Sequence, residues 1–154
     1  MSVVLASCKD GKNKNNGWHQ ITENEVSYKI KVIKADDLFR SNRDEHSQHE
    51  NYLYMKILMQ KNGRSILEAR TAGKSRSEFT KLVTFGLKPY VFLKDNKDHI
   101  YYPVDYSMER YYEPEQSTSF LFVFSKPEQK PDKLFFTIKE FGLGAGRQQI
   151  EISI

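Results

Sequence analysis

A lone cysteine is the residue of this chain best placed for chemistry. Leu5-Ala6-Ser7-Cys8 has the form in which a bacterial lipoprotein signal ends. Small side chains fit the signal peptidase, and the cysteine thiol takes a diacylglycerol before cleavage frees its amine. Val3, Val4 and Leu5 supply an apolar run ahead of it, and Lys9 to Gly17 (KDGKNKNNG) follows as a polar tether. A full signal carries a cationic stretch and roughly 7–15 apolar residues, so the stub here makes Met1 an internal methionine of a longer reading frame. Cys8 is the only cysteine. No internal disulfide and no thiolate metal cluster can therefore form. A Lys/Asn-rich tail is also a poor setting for a nucleophile, which needs a structured base beside it. Acylation is the chemistry that suits the position.

Other constellations carry weaker chemistry. Gly142-Leu-Gly-Ala-Gly146 has the composition of a phosphate loop, but such loops open a helix after a parallel strand. Here a strand pattern follows, and the segment reads as a flexible turn. Asp44-Glu-His-Ser-Gln-His-Glu50 has histidines three apart among carboxylates. In a polar loop nothing fixes their directions, so no metal site is assigned. Asp36, Asp37, Asp95 and Asp98 fall in loops, and Tyr28–Leu38 resembles the first strand of a C2 domain. The later aspartates of a C2 calcium site are missing. No cofactor motif, nucleophile elbow or HExxH is present, and the chain reads as a non-enzyme that holds no cofactor.

The richest surface candidate is Tyr101–Glu115, which holds five tyrosines and four acids. Flat rings beside acceptors serve both protein interfaces and sugar stacking. Tyr101, Tyr102, Tyr106, Glu109, Tyr111 and Tyr112 are the candidate binding residues there, with about half the rings expected to face the core because strand residues alternate. A second candidate is the basic Arg70–Lys81 loop, represented by Arg70, Lys74 and Arg76. Charge divides along the chain: Lys61–Lys88 carries a net +5 and Asp95–Glu115 a net −4. Such polarity favours oriented association with a charged partner. The two segments can equally pair within the domain. Nucleic acid is excluded as a partner, because the basic run lacks interleaved aromatics and the aromatic run is acidic.

These residues need a scaffold, and the 154-residue length is that of one domain. No apolar run approaches the ~20 residues of a membrane-spanning helix. Residues 1–20 read as signal remnant and tether, and 21–154 as the folded domain. Period-two patterning dominates that domain. Val26–Val32 alternates, Tyr52–Met59 is apolar on both faces, and Lys61-Asn-Gly-Arg64 is a hairpin turn. Further strands are expected at Leu82–Phe85, Tyr90–Leu93, Ile100–Val104, Phe120–Phe124, Leu134–Ile138 and Ile150–Ile154. Asp36–Asn51 and Thr71–Glu78 read as loops, and Tyr106–Tyr112 as one helical turn at most. Lys126–Pro131 must be a surface connection, since its prolines remove ladder donors. About eight short strands without a convincing helix predict an all-β, immunoglobulin-like antiparallel β-sandwich.

At Tyr52–Arg64 (YLYMKILMQKNGR), Leu93–Pro103 (LKDNKDHIYYP) and Phe120–Ile154, the chain resembles the telokin-like family of small immunoglobulin-like domains. That family occurs in bacterial secreted proteins and lipoproteins. The shared features are a long apolar strand ending in an Asn-containing turn, an Asp-containing hairpin with Tyr-x-Pro beyond it, and Phe122-Val-Phe124 followed by Ser125-Lys-Pro127. The basic Ala69–Lys81 loop, the tyrosine-rich insert and the lack of a glycine at Glu115–Thr118 are departures. The resemblance implies fold and an extracytoplasmic setting, and brings no catalytic residues.

The functional expectation is a non-catalytic lipoprotein domain at the cell envelope, on the outer membrane or the cell surface. A lipid on Cys8 would anchor it, and an envelope protein would be its partner in a binding or assembly role. The alternative is a surface module binding a glycan or another ligand through the tyrosines. An enzyme is third, since four histidines and many carboxylates could converge in three dimensions, and a C2-like membrane binder is weaker still.

Overall fold

Alternation decides the first sheet. Val26, Tyr28 and Ile30 of β2 (Val26–Ile33) are buried, while Ser27, Lys29 and Lys31 face the other way. β3 (Tyr52–Lys61) runs antiparallel beside it and is flanked on its other side by β8 (Thr118–Ser125). In that register Met55 stands between Val32 and Phe122, and Ile57 between Ile30 and Phe120. The computed structural model describes residues 17–39, 49–69, 73–109 and 117–154. Among them, sheet A runs β1 (His19–Glu23), β2, β3, β8 and β7 (Asp105–Glu109), and β4 (Arg64–Ser65) folds back on β3. The turn before β4 is Asn62-Gly63, with φ of 53° and 72°, the left-handed pair that an Asn-Gly hairpin requires.

Sheet B runs β10 (Gln148–Ile152), β9 (Leu134–Ile138), β5 (Val91–Asp95) and β6 (Ile100–Tyr101), again antiparallel throughout. Strands β2, β3, β8 and β7 occupy the places of A, B, E and D in an immunoglobulin fold. Strands β5, β9 and β10 take those of C, F and G, with β6 added beside β5. The chain is an immunoglobulin-like antiparallel sandwich. One core joins the sheets: Met55, Ile57, Phe120, Phe122 and Phe124 from sheet A meet Val91, Leu93, Phe136 and Ile138 from sheet B.

Among the described residues the strands are interrupted by 3-10 turns at Ile66–Glu68 and Lys88–Tyr90 and by two α-helices, α1 (Ala35–Leu38) and α2 (Arg76–Phe85). The second corrects the expected strand at Leu82–Phe85 and the tail of the expected loop at Thr71–Glu78. Ser75 caps its first turn by accepting the Glu78 N–H at 3.2 Å, and the Glu78 carboxylate accepts the Ser75 N–H at 2.8 Å. That reciprocal box commits the segment to a helix before its β-prone Leu-Val-Thr-Phe end is reached. Phe79 and Val83, four apart, then share one face and enter the core, Phe79 lying parallel to Phe141 with ring centroids 6.1 Å apart. Three smaller corrections follow. Tyr106–Glu109 is strand β7 rather than a helical turn, the closing strand spans Gln148–Ile152, and β1 begins at His19, inside the expected tether. Pairing with β2 and the Lys31 ammonium 5.8 Å from the Trp18 ring centroid hold that first strand on the domain.

Candidate functional site

The C–C′ hairpin, β5 to β6, is organised by one buried carboxylate. Asp95 is 6% exposed, and its Oδ1 accepts the Lys97 and His99 N–H groups at 2.8 and 2.9 Å. Its Oδ2 faces His99 Nδ1 at 2.9 Å and accepts the Tyr101 hydroxyl at 3.0 Å. Since a carboxylate only accepts, Nδ1 carries the proton and Nε2 points away from Asp95. Desolvation pushes the Asp95 carboxyl up, but the His99 amide and ring, the Lys97 amide and the Tyr101 hydroxyl outweigh it and bring the pKa down to about 2. Beside the hairpin, Ser125, Lys126 and Lys130 close a cleft of about 760 Å³. The carboxylate ties a tight turn together, with Asp98 at φ 65° and paired to Lys94 at 3.0 Å.

That arrangement predicts acid sensitivity. A carboxyl depressed in the folded state contributes stability in full above the ordinary carboxylate range, and the contribution is lost as pH falls toward the folded value. The unfolding midpoint should therefore fall between roughly pH 5 and pH 2. Asp95→Asn should have the lower midpoint at pH 7 and a smaller acid drop, read by thermal melts across that range. An equal acid drop in the variant would remove Asp95 as its source.

The outer face of sheet B is built by the same alternation. Leu93 faces inward, and its cross-strand partner Tyr101 packs on the core, so Phe92, Lys94, Ile100 and Tyr102 point outward. Ile100 and Tyr102 are 49% and 50% exposed at the free edge of sheet B, whereas Val104, 45% exposed, has crossed to sheet A, where its N–H donates to the Val123 carbonyl at 2.8 Å. Phe92 is buried despite its outward direction. Tyr102 covers it with centroids 5.8 Å apart, and Lys139 and Arg147 stand 5.6 and 5.5 Å from its ring. Thr137, opposite Phe92 in register, is fully buried with its hydroxyl unpartnered.

The expected site residues divide. Tyr102 is exposed at the surface, while Tyr101 is engaged by Asp95. Tyr106 points inward: its ring stacks on Phe122 at 4.9 Å, and its hydroxyl donates to the Val83 carbonyl and accepts the Leu87 N–H, both at 3.0 Å. Glu109 pairs with Lys56 at 3.3 Å and accepts from Ser119 at 3.0 Å. Lys74 and Arg76 are exposed around the start of α2, away from the face that the helix buries. Cys8, Arg70, Tyr111 and Tyr112 lie outside the described residues. Within Asp44–Glu50 only His49 and Glu50 are described, and His49 stacks on Phe39 at 3.8 Å with Nδ1 2.7 Å from the Tyr54 hydroxyl. Among the described residues no three His, Cys, Asp or Glu side chains group to hold a metal ion.

Sequence reasoning missed Lys139 and Arg147, which the β9–β10 pairing brings together. It also misjudged Gly142–Gly146 as a flexible turn. Glu140 accepts the N–H groups of Gly142 and Gly144 at 2.8 Å and of Gly146 at 2.6 Å. The loop does cradle an anion, and the anion is the chain's own carboxylate. Desolvation pushes Glu140 up, but those amides hold its pKa below the usual range.

No protein family profile matches this chain, and no curated protein does. Among solved structures, a DUF4426 family protein from Pseudomonas aeruginosa PAO1 is similar at 13% identity. The alignment covers 90% of this chain and 93% of that one, with a TM-score of 0.45.

Proposed function

We propose that this chain is a non-catalytic binding domain of a bacterial cell envelope. A lipid on Cys8 holds it at a membrane, and a protein partner binds the outer face and free edge of sheet B. The observation that carries the reading is the pair Ile100 and Tyr102 at the free edge of sheet B, two of the six large hydrophobic side chains exposed on the described surface. Clustered exposed apolar groups mark interaction surfaces, and tyrosine is favoured there because it is apolar with a polar tip. The binding surface thus centres on Tyr102, since Tyr106 is committed to the core and Glu109 to Lys56.

Geometry supports the tether. β1 pairs His19 with Ile30, so the start of β1 lies toward the pole where β2 ends and α1 begins. An anchor at Cys8 would turn that pole toward the bilayer, and Lys9–Gly17 reaches at most ~30 Å when extended. Lys139 and Arg147 lie toward the opposite pole, exposed beside the buried Phe92 ring. The telokin-like resemblance, with its secreted proteins and lipoproteins, agrees with this setting.

The test is the chemical state of the mature N-terminus. Mass spectrometry of protein from native membranes should find a diacylglyceryl-modified N-terminal cysteine at position 8. Cys8→Ser should move the protein from the membrane fraction to the soluble fraction. An unmodified peptide spanning Met1–Ser7 in mature protein would refute the anchor.

A further inference from the structure

We propose that the outer face of sheet B, around Lys139, Arg147 and Tyr102, docks an acidic segment of the protein partner. The inference rests on the binding reading above and names the chemistry the partner must bring. One step beyond the paired Gln148 and Ile138, Arg147 and Lys139 face each other across β9 and β10. Like charges opposed across a ladder destabilise it, so the arrangement works against the fold it sits on. Some other cations of the domain have polar partners: Lys56 has Glu109, Lys94 has Asp98, and Lys61 donates to the Leu143 carbonyl at 2.7 Å. Among the described residues Lys139 and Arg147 have no ion pair, only the Phe92 ring that holds both in place.

A carboxylate suits both cations. The guanidinium of Arg147 can bind it with two parallel hydrogen bonds, and Lys139 adds a point charge. Glu151 is set apart from them, in the next row beside Phe135.

Protein is favoured over an acidic glycan by what borders the cations. Ile100 extends the surface past Tyr102, and a branched aliphatic side chain gives a sugar no flat face to stack on. It suits apolar side chains that alternate with carboxylates along a peptide. The basic pair would then speed encounter and select the partner, with Ile100 and Tyr102 supplying contact area.

Site-specific photo-crosslinking in the native cell tests this, with a benzophenone amino acid at position 100 or 102 of the full chain. The expected product is a protein adduct whose crosslinked segment is net acidic. Lys139→Glu with Arg147→Glu should lower its yield at least tenfold, and Lys139→Gln with Arg147→Gln should give an intermediate loss. Both side chains are exposed, and circular dichroism of each variant checks that the sandwich is retained. Should the Glu pair fail to fold, the Gln pair must still lower the yield. A neutral or basic segment, a second copy of this chain, a saccharide adduct, or a yield indifferent to charge reversal would overturn the inference. A neutral protein segment would leave the protein-binding reading standing. No adduct from either position would overturn both.

Discussion

Phe122→Ala should destabilise the domain by about 3–5 kcal/mol, the cost of removing a large ring from a packed core. Phe122 has no exposed surface, lies opposite Met55 and Tyr106 in register, and contacts the rings of Tyr106, Phe120 and Phe124. Its neighbours come from three adjacent strands, so the cavity cannot collapse without moving sheet A. The control is one residue away. Leu121 points outward between Lys56 and Ser107, and Leu121→Ala should cost less than about 1.5 kcal/mol. Urea unfolding of both variants reads the difference as a shift in midpoint at constant slope. Equal losses would mean that the register of β8 is wrong by one residue, since a slip of one exchanges the two faces.

Tyr106→Phe should cost about 1–3 kcal/mol, although it removes a single oxygen atom. That oxygen serves the Val83 carbonyl and the Leu87 N–H at once, so its loss leaves a donor and an acceptor at the end of α2 without their partner. The ring stays on Phe122 in the variant, which isolates the hydroxyl from the stacking. Tyr106→Ala should lose more, because the aromatic contact goes as well. Chemical denaturation measures the cost, and hydrogen exchange should show faster opening of the Leu87 amide. If Tyr106 were instead an anchor for a partner, the Tyr106→Phe variant would keep wild-type stability and its crosslink yield at position 102 would fall.

The strands that make the sandwich were legible because their information is local. Alternation in Val26–Val32, the apolar length of Tyr52–Met59, Asn62-Gly63 and Phe120–Phe124 each specify a strand or a turn within a few residues. Helix α2 also has a local signal, Ser75-x-x-Glu78 ahead of Phe79, which the expectation of a loop at Thr71–Glu78 and a strand at Leu82–Phe85 left unused. In the fold, capping and the burial of Phe79 and Val83 override the propensity of the last turn.

The sequence by itself determined the class of fold. Tertiary structure decided which tyrosines are surface: one residue of alternation sends Tyr101 to Asp95 and Tyr102 outward, while the stack on Phe122 draws Tyr106 in. It also decided what the glycines do. Their amides converge on Glu140 only because the chain bends back over that carboxylate after β9. Lys139 and Arg147 are eight positions apart in sequence and become neighbours only when β10 pairs with β9. No local pattern records that pairing, because the repulsion between two opposed cations acts across strands, where only the folded sheet brings them together.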